Sequence, residues 1–113
     1  MLSVVRAYRE LNMDALMQIY EQSNMEHGAE ADRSLSGNAC LLRGEQLLRD
    51  YLRSTFFLDN AAFVALWSAG GRPVSVLRVE SYHDGLILTG LETAPEARGN
   101  GYAKALVNAV IRY

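Results

Sequence analysis

The stretch over residues 86–113 constrains this chain most. Leu86-Ile87-Leu88-Thr89-Gly90-Leu91-Glu92-Thr93 predicts an apolar strand, and Pro95-Glu96-Ala97-Arg98-Gly99-Asn100-Gly101 predicts a tight turn. The remainder predicts an amphipathic helix, with Ala103, Leu106, Val107, Val110 and Ile111 on one stripe at helical spacing. Two glycines in the turn let the backbone bend sharply and approach a ligand with no Cβ in the way. Successive N–H groups then point outward where a helix begins, lacking intrahelical acceptors and reinforced by the helix dipole. Anions bind such places, and this one reads as a cradle for a pyrophosphate.

The rest of the composition makes that cradle a local feature. With 113 residues, half of them hydrophobic, and a formal net charge of -2, the chain suits one small soluble globular domain. It has no basic stripe or polybasic run, which argues against nucleic acid or an anionic membrane as a general partner. A single cysteine, Cys40, excludes an intramolecular disulfide and a cysteine zinc site, and it fits a reducing cytoplasm. Arg6 interrupts the first residues too early for a signal peptide, and no apolar run approaches spanning length. A cytoplasmic location is therefore expected.

Before the cradle, residues 2–8 predict an opening strand. Asn12 reads as an N-cap with Asp14 in the first turn, and Met13, Leu16, Met17 and Tyr20 form a helical core stripe that Gly28 is expected to stop. Residues 26–38 read as a polar loop, and residues 40–57 as a second helix whose arginines pair with Glu45 and Asp50. Residues 62–68 are apolar on both faces, as a central strand covered on each side should be. Residues 74–82 give a further strand, with Val74, Val76 and Arg78 on one face and Leu77 and Val79 on the other. A turn at His83-Asp84-Gly85, with positive φ expected at the glycine, leads into the strand described first. The order is β-α-α-β-β-β-α, an α/β (α+β) chain with a mainly antiparallel sheet flanked by helices.

Arg98-Gly99-Asn100-Gly101-Tyr102-Ala103 resembles the Gln/Arg-x-x-Gly-x-Gly/Ala signature of the GNAT superfamily of N-acetyltransferases. Leu91-Glu92-Thr93-Ala94-Pro95 precedes it as the end of the fourth strand does in that superfamily, and the whole order of elements is similar to the superfamily's amino-terminal half. Other phosphate motifs fail: the third glycine of a dinucleotide fingerprint is missing, and so is the Gly-Lys-Ser/Thr of a P-loop. The resemblance implies acetyl-CoA as co-substrate, with its pyrophosphate on backbone N–H groups of Arg98, Gly99, Asn100, Gly101, Tyr102 and Ala103. It implies that Leu91 and Thr93 meet the pantetheine through backbone groups, and that a small-molecule or peptide amine is the acceptor. Glu92 is the only carboxylate in that strand and is the candidate base, direct or through water; the alternative is a solvated or ion-paired strand-end carboxylate.

Other reactive residues carry less. His27 and His83 lack ligand-spaced partners, so no metal site is expected, and Cys40 reads as a structural thiol. Measured against the resemblance, residues 1–113 form a single domain cut short at its C-terminus, without the superfamily's usual last strands and helix. A fragment of a longer acetyltransferase is the favoured expectation. The alternatives are a chain whose sheet is completed by a partner or a second copy, and a non-catalytic CoA-binding or interaction module. Little or no acetyl transfer by this chain alone is expected, since none of Tyr8, Tyr20, Tyr82 and Tyr102 stands where the superfamily's leaving-group tyrosine would.

Overall fold

The computed structural model describes residues 1–113. Four strands, β1 (Leu2–Val5), β2 (Phe63–Ala69), β3 (Arg72–Tyr82) and β4 (Gly85–Thr93), form one antiparallel sheet in the order β1-β2-β3-β4. Val5 pairs with Val64, Phe63 with Val79, and Tyr82 with Gly85. The helices are α1 (Met13–Ile19), α2 (Glu21–Ala31), α3 (Asn38–Ser54) and α4 (Tyr102–Arg112). The expected α/β architecture is present, with the first helical region divided at Tyr20.

Strand alternation divides the core between two faces of the sheet. Val64, Leu66, Val74 and Val76 pack with Leu16, Ile19, Tyr20, Leu52 and Phe56 from the α1–α3 side. Phe63, Ala65, Leu77 and Val79 pack with Leu106 and Val110 of α4. β2 is thus covered on both faces, as its apolar sequence requires; Val64 and Ala65 are fully buried.

Several boundaries differ from expectation, each for a local reason. The opening strand ends at Val5, and Tyr8–Glu10 forms a 3-10 turn. Asn12 caps α1 as expected, accepting from the Ala15 N–H at 3.2 Å. Gly28 does not stop a helix. It lies inside α2, where a Cβ would stand 1.7 Å from the carbonyl oxygen of Cys40; a Cβ on Gly44 of α3 would stand 1.7 Å from the carbonyl oxygen of Asn24. Both glycines let α2 and α3 cross in main-chain contact, so most of the expected loop is helix. The remaining connection is held by Asp32, which accepts from the Ser34 N–H at 2.9 Å and from its hydroxyl at 2.6 Å. α3 ends at Ser54, followed by a 3-10 turn at Phe56–Leu58.

On α3, Arg49 meets Glu45 at 3.9 Å and Arg53 meets Asp50 at 3.0 Å, whereas Arg43 donates to Gln46. At the β3–β4 turn the positive φ falls on His83 (53°), not on Gly85. Ile111, placed by periodicity on the core stripe of α4, is 71% exposed because the packed face of that helix is centred on Leu106 and Val110.

Candidate functional site

The site begins with an irregularity in β4. Val76 pairs with Glu92 and Arg78 with Thr89, so Leu77 alone faces both Gly90 and Leu91, and β4 carries one extra residue. A bulge bends its strand and leaves a residue outside the ladder. Gly90 adopts φ +65°, and a Cβ there would lie within 3.0 Å of both the Arg78 guanidinium and the Tyr20 hydroxyl, so only glycine fits. Tyr20 donates its hydroxyl to the Gly90 carbonyl at 2.6 Å. Burial pushes the Tyr20 phenol up to about 12; Arg78 opposes this shift and Glu92 adds to it.

Beyond β4 the chain is anchored and then freed. The Ala94 N–H donates to the Val74 carbonyl at 2.8 Å, a 3-10 turn spans Pro95–Ala97, and Ala94 and Ala97 are buried. Arg98 ties this turn to its surroundings, its guanidinium donating to the Thr93 carbonyl at 3.3 Å and to Gln22 at 3.2 Å. Gly99 and Gly101 adopt φ +82° and +77°, with nothing within 4 Å of a notional Cβ on either. Backbone conformation, not crowding, therefore selects glycine at both. In α4 the first N–H to find a helical acceptor is that of Ala105, on the Gly101 carbonyl, so the donors before it are available to a ligand.

Leu91, Glu92, Thr93, Arg98, Gly99, Gly101, Tyr102 and Ala103 all line one open cleft of about 350 Å³, joined by Ala97. Of the residues predicted for the site, only Asn100 is outside it; its amide turns back to the Ala97 carbonyl at 2.9 Å and so shapes the loop. Thr93 points toward the α4 side, where its hydroxyl meets that of Ser75 at 2.7 Å. Glu92, paired with Val76, shares the opposite face with Tyr20. It is half-buried and makes no ion pair.

A second pocket, of about 280 Å³, opens on the Glu92 side of the sheet between α2, α3 and the β3–β4 pair. Tyr20, Asn24, His27, Tyr51, Arg78 and Glu80 line it. The Arg78 guanidinium lies against the rings of Tyr20 and Tyr51, at 5.7 and 5.5 Å from their centroids. Tyr51 donates to Glu80 at 2.7 Å; burial raises the Tyr51 phenol, and Glu80 raises it further. The strand pattern puts Arg78 on one face without marking it as a site residue. Its signal was a charged residue ending the buried row Val74, Val76, Arg78.

Cys40 is buried at the α2–α3 crossing, and His83 stacks edge-on against Tyr82 in its turn. No three His, Cys, Asp or Glu side chains come together to hold a metal ion, and no helix is long and apolar enough to cross a membrane.

Solved structures share this fold. The fold is similar to that of an aminoglycoside 6'-N-acetyltransferase complexed with coenzyme A, with 14% identity, a TM-score of 0.59, and 99% of this chain aligned over 53% of that one. It is also similar to the PaiA N-acetyltransferase of Thermoplasma acidophilum in complex with coenzyme A, with 13% identity, a TM-score of 0.58, and coverage of 99% and 70%. A putative GNAT family acetyltransferase of Staphylococcus aureus aligns at 15% identity with a TM-score of 0.56, covering 98% of this chain and 88% of the other. The chain thus spans about half the length of the first of these structures. No curated protein matches it. The sequence over residues 13–113 matches the acetyltransferase (GNAT) family, and the chain belongs to that family.

Proposed function

We propose that this chain binds acetyl-CoA in the cleft between the end of β4 and the start of α4 and serves transfer of the acetyl group to an amine. The observation that carries this reading is the meeting, in one cleft, of the β4 bulge and the Gly99–Gly101 turn with its unpaired helical donors. The residues fit the ligand: positive φ at two glycines exposes successive N–H groups, and no side chain competes for them. Each charge-assisted bond to a phosphate contributes about 1.5 to 3 kcal/mol.

Bound acetyl-CoA supplies an activated thioester. A backbone N–H near the end of β4 polarises its carbonyl, and the cleft holds the two reactants side by side, which removes much of the entropic barrier. Glu92 takes the proton that the attacking amine sheds, directly or through water, while the new C–N bond replaces the thioester C–S bond and CoA leaves as its thiolate, to be protonated from water. Its place supports this role: it borders the cleft, lies on the face that carries the second pocket, and is committed to no cation. The second edge of β4 pairs with no strand and is open to a strand of a partner chain or a second copy.

The test is calorimetric titration with CoA. Gly101→Val weakens binding far more than Lys104→Ala, because Val cannot hold φ near +77°. Equal effects would sink the assignment. Saturable CoA binding with no turnover on an amine panel would instead identify a binding module. If turnover is present, Glu92→Gln lowers it; unchanged turnover takes Glu92 out of the mechanism.

A further inference from the structure

We infer that the acceptor is a small amine carrying its own carboxylate, of free amino acid type, and that Arg78 holds that carboxylate in the pocket between α2, α3 and the sheet. This rests on the acetyl-transfer reading above.

Arg78 is the only pocket residue whose bonding is incomplete by construction. Its Nε is buried and has no hydrogen-bond partner, and the three ion pairs of the chain use Arg49, Arg53 and Arg72 instead. Glu80, the nearest carboxylate along β3, is engaged by the Tyr51 hydroxyl. A buried donor without an acceptor is costly, and here the guanidinium also lies against two tyrosine rings, which restrict where it can move. A rigid, planar, unpartnered guanidinium matches a carboxylate, which takes two parallel N–H bonds.

Its position says where the amine goes. Arg78 packs beneath Gly90, at the bulge itself: a Cβ on Gly90 would lie 2.7 Å from its Nε. Glu92 shares this face, opposite Val76 and so on the diagonal from Arg78, about 7 to 8 Å away in sheet spacing. A molecule whose carboxylate rests on Arg78 therefore presents an adjacent amine to Glu92 and to the opening in β4. The pocket, at about 280 Å³, suits a single amino acid, with its side chain directed toward Asn24, His27 and Leu48. An amine without an acid leaves Arg78 unsatisfied, and a polycation brings like charge against it.

The experiment measures binding to the unaltered chain, where the preference for acids over amides is read without any substitution. L-leucine, L-glutamine and L-histidine are titrated against their three carboxamides, following side-chain Nε–H resonances of the arginines by NMR. The Arg78 resonance is assigned by its absence in Arg78→Lys. The expected result is that the acids shift and saturate this resonance and bind about tenfold or more tighter than the amides. Arg78→Gln abolishes the preference while CoA affinity, measured separately by calorimetry, is unchanged. Equal binding of acids and amides, or acid binding that leaves the Arg78 resonance in place, overturns the inference even if CoA binds. Failure of CoA to bind overturns the acetyl-transfer reading instead, and is read independently of the acid preference.

Discussion

The hydroxyl of Tyr20, at the end of α1, donates to the carbonyl of Gly90 in β4 across 2.6 Å, joining the helical layer to the sheet at the bulge. Removing the hydroxyl takes from that carbonyl the side-chain donor it has in the folded chain. Tyr20→Phe is expected to cost about 1 to 3 kcal/mol. It should lower the urea midpoint without changing the slope of the transition, and a wild-type midpoint would mean that the bond contributes nothing net.

The same phenol gives the fold a limit at alkaline pH. Its folded value is about 12 against an ordinary 10, so the native state favours the protonated form. The resulting stability is complete below pH 10 and is lost as pH rises toward 12, by an amount on the order of 3 kcal/mol. Tyrosinate absorbance should show late-ionising tyrosine, of which the Tyr20 share disappears in Tyr20→Phe while that of the raised Tyr51 remains.

Asp59 sets the opposite limit. It accepts from the Ser81 N–H at 2.7 Å, from the Ala61 N–H at 2.9 Å and from the Ser81 hydroxyl at 2.9 Å, and these bonds hold its carboxyl below the ordinary value. Its contribution is present above that ordinary value and falls away as pH drops through the folded one. Carboxyl NMR titration should give a midpoint below 3.8 for Asp59, and Asp59→Asn should return the segment joining α3 to β2 to unfolded-like hydrogen exchange first.

Gly28→Ala and Gly44→Ala each push a methyl into main chain that cannot yield. Either should destabilise by more than about 3 kcal/mol, above the usual range for overpacking. The two meet at one crossing, so the double variant should lose less than the sum. A thermal midpoint within a few degrees of wild type for either would show that the helices can part.

Much of this was readable from residue pattern because the physics there is local. Asn12 capped its helix, the two-sided apolar run at residues 63–66 became the covered strand β2, and Gly99 and Gly101 carried the positive φ that a turn into a helix requires. What was not readable depends on partners distant in sequence. Gly28 looked like a stop because the carbonyl of Cys40 that it accommodates lies in another helix. His83 took the φ expected of Gly85 because a two-residue turn between Tyr82 and Gly85 sets the geometry there. Arg78 was legible as an anomaly in an apolar row, but its tyrosine neighbours come from α1 and α3 and its ceiling from a bulge that no periodicity reveals.

The main-chain contact between α2 and α3 also bears on how such a protein can change its preferences. Since Gly28 and Gly44 fix the spacing of the two helices, residues such as Asn24, His27 and Leu48 project from a frame that does not move when they are exchanged. Substitutions there can redraw the outline presented to an incoming molecule while the bulge, Arg78 and the glycine turn keep their places. The pocket is thus built as a fixed socket with replaceable fittings, and new selectivities are reached through those fittings before any change to the scaffold.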